Sequence, residues 1–128
     1  MALKNSSQAL ILLAHGSRDA AWRAPFDAIA AQISALQPGL SVRCAYLQLC
    51  APDLPQAVAD LHLAGCQHIA IAPLFLGAGT HIRQDVPALL AAMQAQYPDC
   101  TLRLLPVLGD DAQMQSLMAS WLLQNLAL

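Results

Sequence analysis

The sequence predicts an α/β fold, a three-layer sandwich with a four-stranded parallel sheet at its centre. Three observations lead there. Four short apolar runs alternate with four stretches of helical periodicity. The runs are almost continuous in Val, Ile, Leu and Ala, as strands buried on both faces must be. Each run passes to its helix through a turn containing glycine, proline or aspartate, and strands that alternate with helices pair in parallel through right-handed crossovers.

Leu10 to Ala14 reads as the first strand, ending at His15 and Gly16. Trp22, Phe26, Ile29, Ala30, Ile33 and Leu36 then recur at helical spacing and stop at Pro38-Gly39. Leu40 to Leu49 is the second strand, and Asp53 opens a helix whose Leu54, Ala57, Val58 and Leu61 share one face before Gly65. His68 to Phe75 is the third strand. A glycine loop from Gly77 leads to Asp85, expected to cap a helix carrying Val86, Leu89, Leu90 and Met93. Thr101 to Leu108, followed by a helix with Met114, Leu117, Met118, Trp121 and Leu122, completes the fourth pair. The expected arrangement is flavodoxin-like with strand order 2-1-3-4, in one unit over residues 1–128 without linker, low-complexity tract or internal repeat. Such sheets bind ligands beyond the carboxyl ends of the strands where the order reverses, which means the loops after strands one and three.

Composition narrows the function. The chain is 57% apolar and only 11% charged, against roughly 25% charged in an average soluble domain, so something beyond one small core is expected to absorb apolar surface. No run reaches the roughly 20 apolar residues of a membrane span. The segment Ala9 to Ala14, preceded by Lys4, leads straight into His15 without a small-residue cleavage site, so a cytoplasmic protein without signal peptide is expected. Cys44, Cys50, Cys66 and Cys100 form no C-x-x-C pair, which points to free thiols in a reducing compartment rather than a zinc knuckle. A net charge of −2, with no basic run, excludes a nucleic-acid binder.

Both loops at the predicted binding edge carry a histidine. The first reads His15-Gly16-Ser17-Arg18-Asp19, where Gly16 permits a tight turn, Ser17 or Asp19 can cap the helix, and free amides favour a nearby anion. A histidine here serves either as a hydrogen-bonded turn residue or as a metal ligand. The second loop, Pro73-Leu74-Phe75-Leu76-Gly77-Ala78-Gly79-Thr80-His81, is longer than a βα connection needs. Neighbouring strands lie about 4.8 Å apart, so His15 and His81 can face one site. His62 and His68 fall away from this edge and read as structural or surface residues. Arg18, Arg23 and Arg83 cluster near the starts of helices one and three, where they are either ordinary surface cations or receivers of ligand carboxylates.

Taken together, His15-Gly16-Ser17-Arg18, Pro73-Leu-Phe-Leu-Gly and His81-x-x-x-Asp85-x-Pro87 resemble the CbiX-type sirohydrochlorin chelatases, with like order and spacing from about Leu10 to about Asp110. The resemblance implies a class II chelatase fold, and this length matches the short form, whose members act as homodimers. Dimerisation would also cover the apolar tail from Trp121 to Leu128. The resemblance further implies that His15 and His81 handle the metal and the pyrrole protons. The substrates would be a sirohydrochlorin-type tetrapyrrole and a divalent ion, Co²⁺ foremost, with Fe²⁺ and Ni²⁺ as alternatives and no permanently bound cofactor. Gly16, Ser17, Arg18, Gln48, Leu76, Gly77, Ala78, Gly79, Thr80 and Arg83 are the expected substrate-binding residues.

One departure stands out. Where the family commonly has a glutamate near the end of strand two, this chain has Gln48, which cannot ionise. Metal capture and proton removal then fall to imidazoles, which ligate borderline ions and titrate near neutrality, at about 6.5 when unperturbed. Asp85 is expected as a helix cap rather than a participant. A tetrapyrrole or metal carrier that lost the carboxylate is the main rival. A phosphoryl-transfer enzyme fits less well, since no G-x-x-x-x-G-K-[ST] cradle is present.

Overall fold

The structure, a computed structural model, describes residues 7–126. Lys4 and the last two residues of the apolar tail, Ala127 and Leu128, lie outside the described residues. Four parallel strands, β1 (Gln8–Ala14), β2 (Ser41–Tyr46), β3 (His68–Pro73) and β4 (Thr101–Leu104), form one sheet in the order β2-β1-β3-β4. Four α-helices are interleaved with them: α1 (Ala20–Leu36), α2 (Leu54–Leu63), α3 (Thr80–Gln96) and α4 (Ala112–Gln124). The strand order and alternation agree with the expectation from sequence.

Register fixes which side chains share a face. Ala9, Ile11 and Leu13 of β1 pair in line with Ile69, Ile71 and Pro73 of β3, and this face packs against Leu54, Val58 and Leu61 of α2 and Val86 and Met93 of α3. Ile11, Leu13, Leu61 and Ile71 are fully buried there, each contributing about 1.5–3 kcal/mol. The opposite face presents Leu10, Leu12 and Ala14 in line with Val42, Cys44 and Tyr46, and α1 covers this part, with Trp22 against Tyr46. Burial pushes the Tyr46 phenol up to about 12, with Cys44 adding to the effect.

Helix ends follow local chemistry. Asp19 caps α1 by accepting from the Ala21 amide at 2.9 Å. Asp53 and Gln56 form a reciprocal capping box on α2, with bonds of 2.8 and 2.9 Å.

Asp85 does not cap α3. The helix starts at Thr80 behind Gly79, and the Arg83 amide already donates to the Gly79 carbonyl at 3.1 Å. Ile82, Val86, Leu90 and Met93 form one apolar stripe against the core, which continues the helix upstream through Pro87. Three strands are also shorter at their carboxyl ends than the apolar runs suggested. β2 ends at Tyr46 rather than Leu49, β3 at Pro73 rather than Phe75, and β4 at Leu104 rather than Leu108. Past β4, Pro106 lacks an N–H for a ladder, and a 3-10 turn follows at Leu108–Asp110.

Candidate functional site

The carboxyl edge of the sheet is built around the end of β1. The Leu47 amide donates to the Ala14 carbonyl and the Gln48 amide to the His15 carbonyl, both at 3.0 Å, while the Leu74 amide donates to the Leu13 carbonyl at 2.8 Å. Backbone on both sides is thus laced to β1 beyond the regular ladder. The His15 side chain is exposed, and its ring rests on Phe75 with centroids 4.4 Å apart at 37°. Phe75 is itself buried. The imidazole is therefore held on a fixed apolar support with its other side open.

Gly16 follows with φ +107°, and a Cβ there would lie 1.7 Å from the Gln48 carbonyl oxygen. No side chain fits such an approach, so the turn that orients His15 needs glycine at this position. The loop is tightened further on its own groups. Ser17 Oγ accepts from the Asp19 amide at 3.0 Å, and Arg23 Nη1 donates to the Ser17 carbonyl at 3.0 Å. Arg18 is exposed beside it. Gln48 lies beyond the end of β2 with its side chain exposed, and its backbone, not an in-sheet position, fixes it beside Gly16.

The second loop is anchored from the far side. The Gly109 amide donates to the Phe75 carbonyl at 2.9 Å, and a Cβ on Gly109 would lie 1.6 Å from the Leu76 carbonyl oxygen. Arg83 Nε donates to the Ala78 carbonyl at 2.9 Å, and its two terminal nitrogens donate to Asp110 at 2.9 and 3.1 Å. That pairing holds the Asp110 carboxyl below the usual carboxylate range. His81 is exposed on the first turn of α3 rather than on a free loop.

The expected residues thus form two sets. His15, Gly16, Ser17 and Gln48 are joined through backbone contacts, and Leu76, Ala78 and Arg83 are joined to the β4–α4 corner. Phe75 connects the sets. An apolar cleft of about 270 Å³ opens beside it, lined by Ile82 and Val86 of α3 and Leu104 and Val107 after β4. Gly77, Gly79 and Thr80 are exposed on the chain between β3 and α3. Arg23 and Arg83 are engaged by the protein's own oxygens, so a ligand carboxylate at Arg83 competes with Asp110. Among the described residues no group of three or more His, Cys, Asp or Glu side chains is placed to hold a metal ion.

Phe75, Gly109 and Asp110 received no site role from sequence. Phe75 stood inside the Pro73-Leu-Phe-Leu-Gly motif but reads as core, and Gly109-Asp110 reads only as a turn after an apolar run. Among the described residues no helix is long and apolar enough to cross a membrane.

The CbiX family model matches residues 9–124. The chain belongs to the CbiX family. A sirohydrochlorin cobaltochelatase of Methanopyrus kandleri is 30% identical over 91 residues, covering 71% of this chain and 63% of its own. One from Saccharolobus solfataricus is 32% identical over 82 residues, covering 63% and 62%. The matched stretch thus spans under two thirds of these relatives' own length. A CbiX protein from Marinobacter aquaeolei superposes with a TM-score of 0.78 at 31% identity, over 91% of this chain and 95% of that one. The sirohydrochlorin chelatase SirB from Bacillus subtilis subspecies spizizenii, solved in complex with cobalt, gives 0.76 at 22% identity. It shares the fold, and this CbiX-family chain covers 93% of itself and 51% of SirB in the match.

Proposed function

We propose that this protein inserts a divalent metal ion, Co²⁺ foremost, into sirohydrochlorin on a route to cobalamin or sirohaem. Fe²⁺ and Ni²⁺ are the alternative ions. The observation that carries the reading is the pair of exposed imidazoles at the carboxyl ends of adjacent strands: His15 on its Phe75 support at the tip of β1, and His81 on the first turn of the helix after β3. Family membership and the cobaltochelatase names of the relatives support the substrate pair.

Insertion replaces two pyrrole N–H bonds by metal–nitrogen bonds and releases two protons. Neutral imidazole can ligate a borderline divalent ion and can take up a leaving proton. In this reading His15 and His81 share those two tasks. Gly16, Ser17 and the chain from Leu76 to Thr80 supply the surface on which the macrocycle lies, and exposed Arg18 meets one of its carboxylates. The free amides at the start of α3 favour another. Gln48 borders the metal position without adding charge. The protein acts in the cytoplasm as a homodimer, without a permanently bound cofactor and without nucleic-acid or membrane partners.

Anaerobic mixing with sirohydrochlorin and each ion in turn tests this, with the tetrapyrrole absorption spectrum as readout. Spectral conversion well above the protein-free rate is expected, fastest with Co²⁺. Gln48, in place of a carboxylate, favours a second reading as a tetrapyrrole carrier. Stoichiometric binding without accelerated conversion would establish the carrier instead.

A further inference from the structure

We propose that Leu49 is a substrate-contact residue, an apolar rest for one side of the flat macrocycle face, with Leu76 as the rest for the other side and His15 between them. The inference rests on the chelatase reading and deepens it. It adds a residue that selects a broad, planar ligand with an apolar face.

The backbone at Leu49 sets it apart. Among the described residues three positions have left-handed φ: glycine occupies two of them, Gly16 at +107° and Gly65 at +94°, and Leu49 the third at +69°. That region brings Cβ against the backbone carbonyl, so it costs leucine more than glycine or asparagine. Such a conformation persists where its surroundings over-determine it, and here they do. Before it, the Leu47 and Gln48 amides donate to the Ala14 and His15 carbonyls, both at 3.0 Å, and the Gln48 carbonyl is seated on Gly16. After it, the Pro52 carbonyl accepts from the Tyr46 amide at 2.9 Å, and Asp53 is held in the capping box of α2.

Burial offsets little of the cost. Leu47 packs on the core, whereas Leu49 is 49% exposed. A half-exposed leucine gains only part of the transfer free energy of a buried one, and glycine or asparagine would make the same turn with less strain. An apolar surface arriving from outside gives leucine a reason to stand there.

Placement identifies that surface. β2 and β3 flank β1 and end at Tyr46 and Pro73, paired with Ala14 and Leu13. Leu49 and Leu76 each stand three residues past those ends, and Leu76 is also largely exposed. Two large aliphatic side chains thus follow the strands on either side of the one that carries His15, and those two strands lie about 9–10 Å apart. A small acyclic ligand could touch one of them, whereas the face of a tetrapyrrole spans both.

Anaerobic titration of the full chain with metal-free sirohydrochlorin, followed by quenching of tryptophan emission, tests this. Leu49→Asn keeps a residue that accepts the left-handed backbone and removes the apolar surface. It should weaken binding about tenfold, the scale on which a half-exposed leucine becomes buried, while the thermal midpoint stays equal or rises. Leu49→Met should retain most of the affinity. Equal binding by wild type and Leu49→Asn, a midpoint that falls along with the affinity, or a Leu49→Met variant as weak as Leu49→Asn would each overturn the proposal and leave the chelatase reading standing. A wild type that does not bind the metal-free ring would overturn both.

Discussion

Arg83 and Asp110, 27 residues apart in the chain, meet in a two-bonded ion pair that ties the start of α3 to the corner after β4. Because Arg83 also holds the Ala78 carbonyl, the pair sets the path of the chain that leads to His81. Asp110→Ala should therefore lower metal insertion about tenfold to a hundredfold, the scale on which a small displacement of a reacting group acts. The melting temperature should change little, since both side chains are exposed. The reversed pair Arg83→Asp with Asp110→Arg should recover part of the loss in a steady-state assay. If the single Asp110 variant kept full activity, this tie would have no part in placing His81.

Substitution of either histidine separates chemistry from folding. His81→Ala should abolish most insertion with an unchanged unfolding curve, since the side chain is exposed on a helix turn. His15→Ala should do the same while costing about 0.5–1.5 kcal/mol for the lost ring contact with Phe75. Denaturant titration beside the spectral assay reads both quantities.

Gly16→Ala should behave differently. The new methyl would collide with the Gln48 carbonyl at a left-handed backbone position, so a loss above about 3 kcal/mol is expected. An alanine variant that melted like wild type would mean that the two backbones separate easily, contrary to the lacing at Ala14 and His15.

Gln48→Glu adds the ionisable group that the family commonly has there. Divalent metal binding should strengthen and activity should extend toward lower pH, because a free glutamate carboxyl, near 4.3, stays ionised where imidazole is charged. Paired pH-rate profiles with one metal would reveal it. Identical profiles and affinities would place the residue 48 side chain away from the metal path.

Tyr46 predicts an alkaline limit. Its folded-state value of about 12, raised by burial, exceeds the roughly 10 of an exposed phenol. The contribution is fully present below pH 10 and is lost as pH rises from there through the folded value, on the order of 2–3 kcal/mol in all. Tyr46→Phe should flatten the decline in unfolding free energy between pH 9 and 11, measured by urea titration.

The fold was largely legible because buried parallel strands and amphipathic helices write different periods into the sequence. Leu10 to Ala14 and the stripe through Leu54, Val58 and Leu61 carried that signal unaided. Ends were less legible. Asp85 looked like a cap because it precedes Val86-Pro87, but the packing of Ile82 on the core outweighed the local preference and carried the helix back to Thr80. At the site, both histidines and Gly16 could be singled out from their place after a strand. Asp110 could not, because its partner Arg83 lies across a crossover and only tertiary structure brings them together.

Proline sits inside each of the two helices that follow the histidine loops, Pro25 in α1 and Pro87 in α3. Lacking an N–H, each leaves the carbonyl four residues earlier, at Ala21 and at Arg83, without its helical donor. Each helix therefore has fewer backbone bonds near its amino-terminal end than beyond the proline, a difference that amide exchange at Ile82 and Asp85 against Leu90 and Met93 would register. Each of these turns carries an arginine bonded outside its own helix, Arg23 to the Ser17 carbonyl and Arg83 to Asp110. The amino-terminal part of each helix thus has a side-chain bond to a neighbouring segment where one backbone bond of its own is missing.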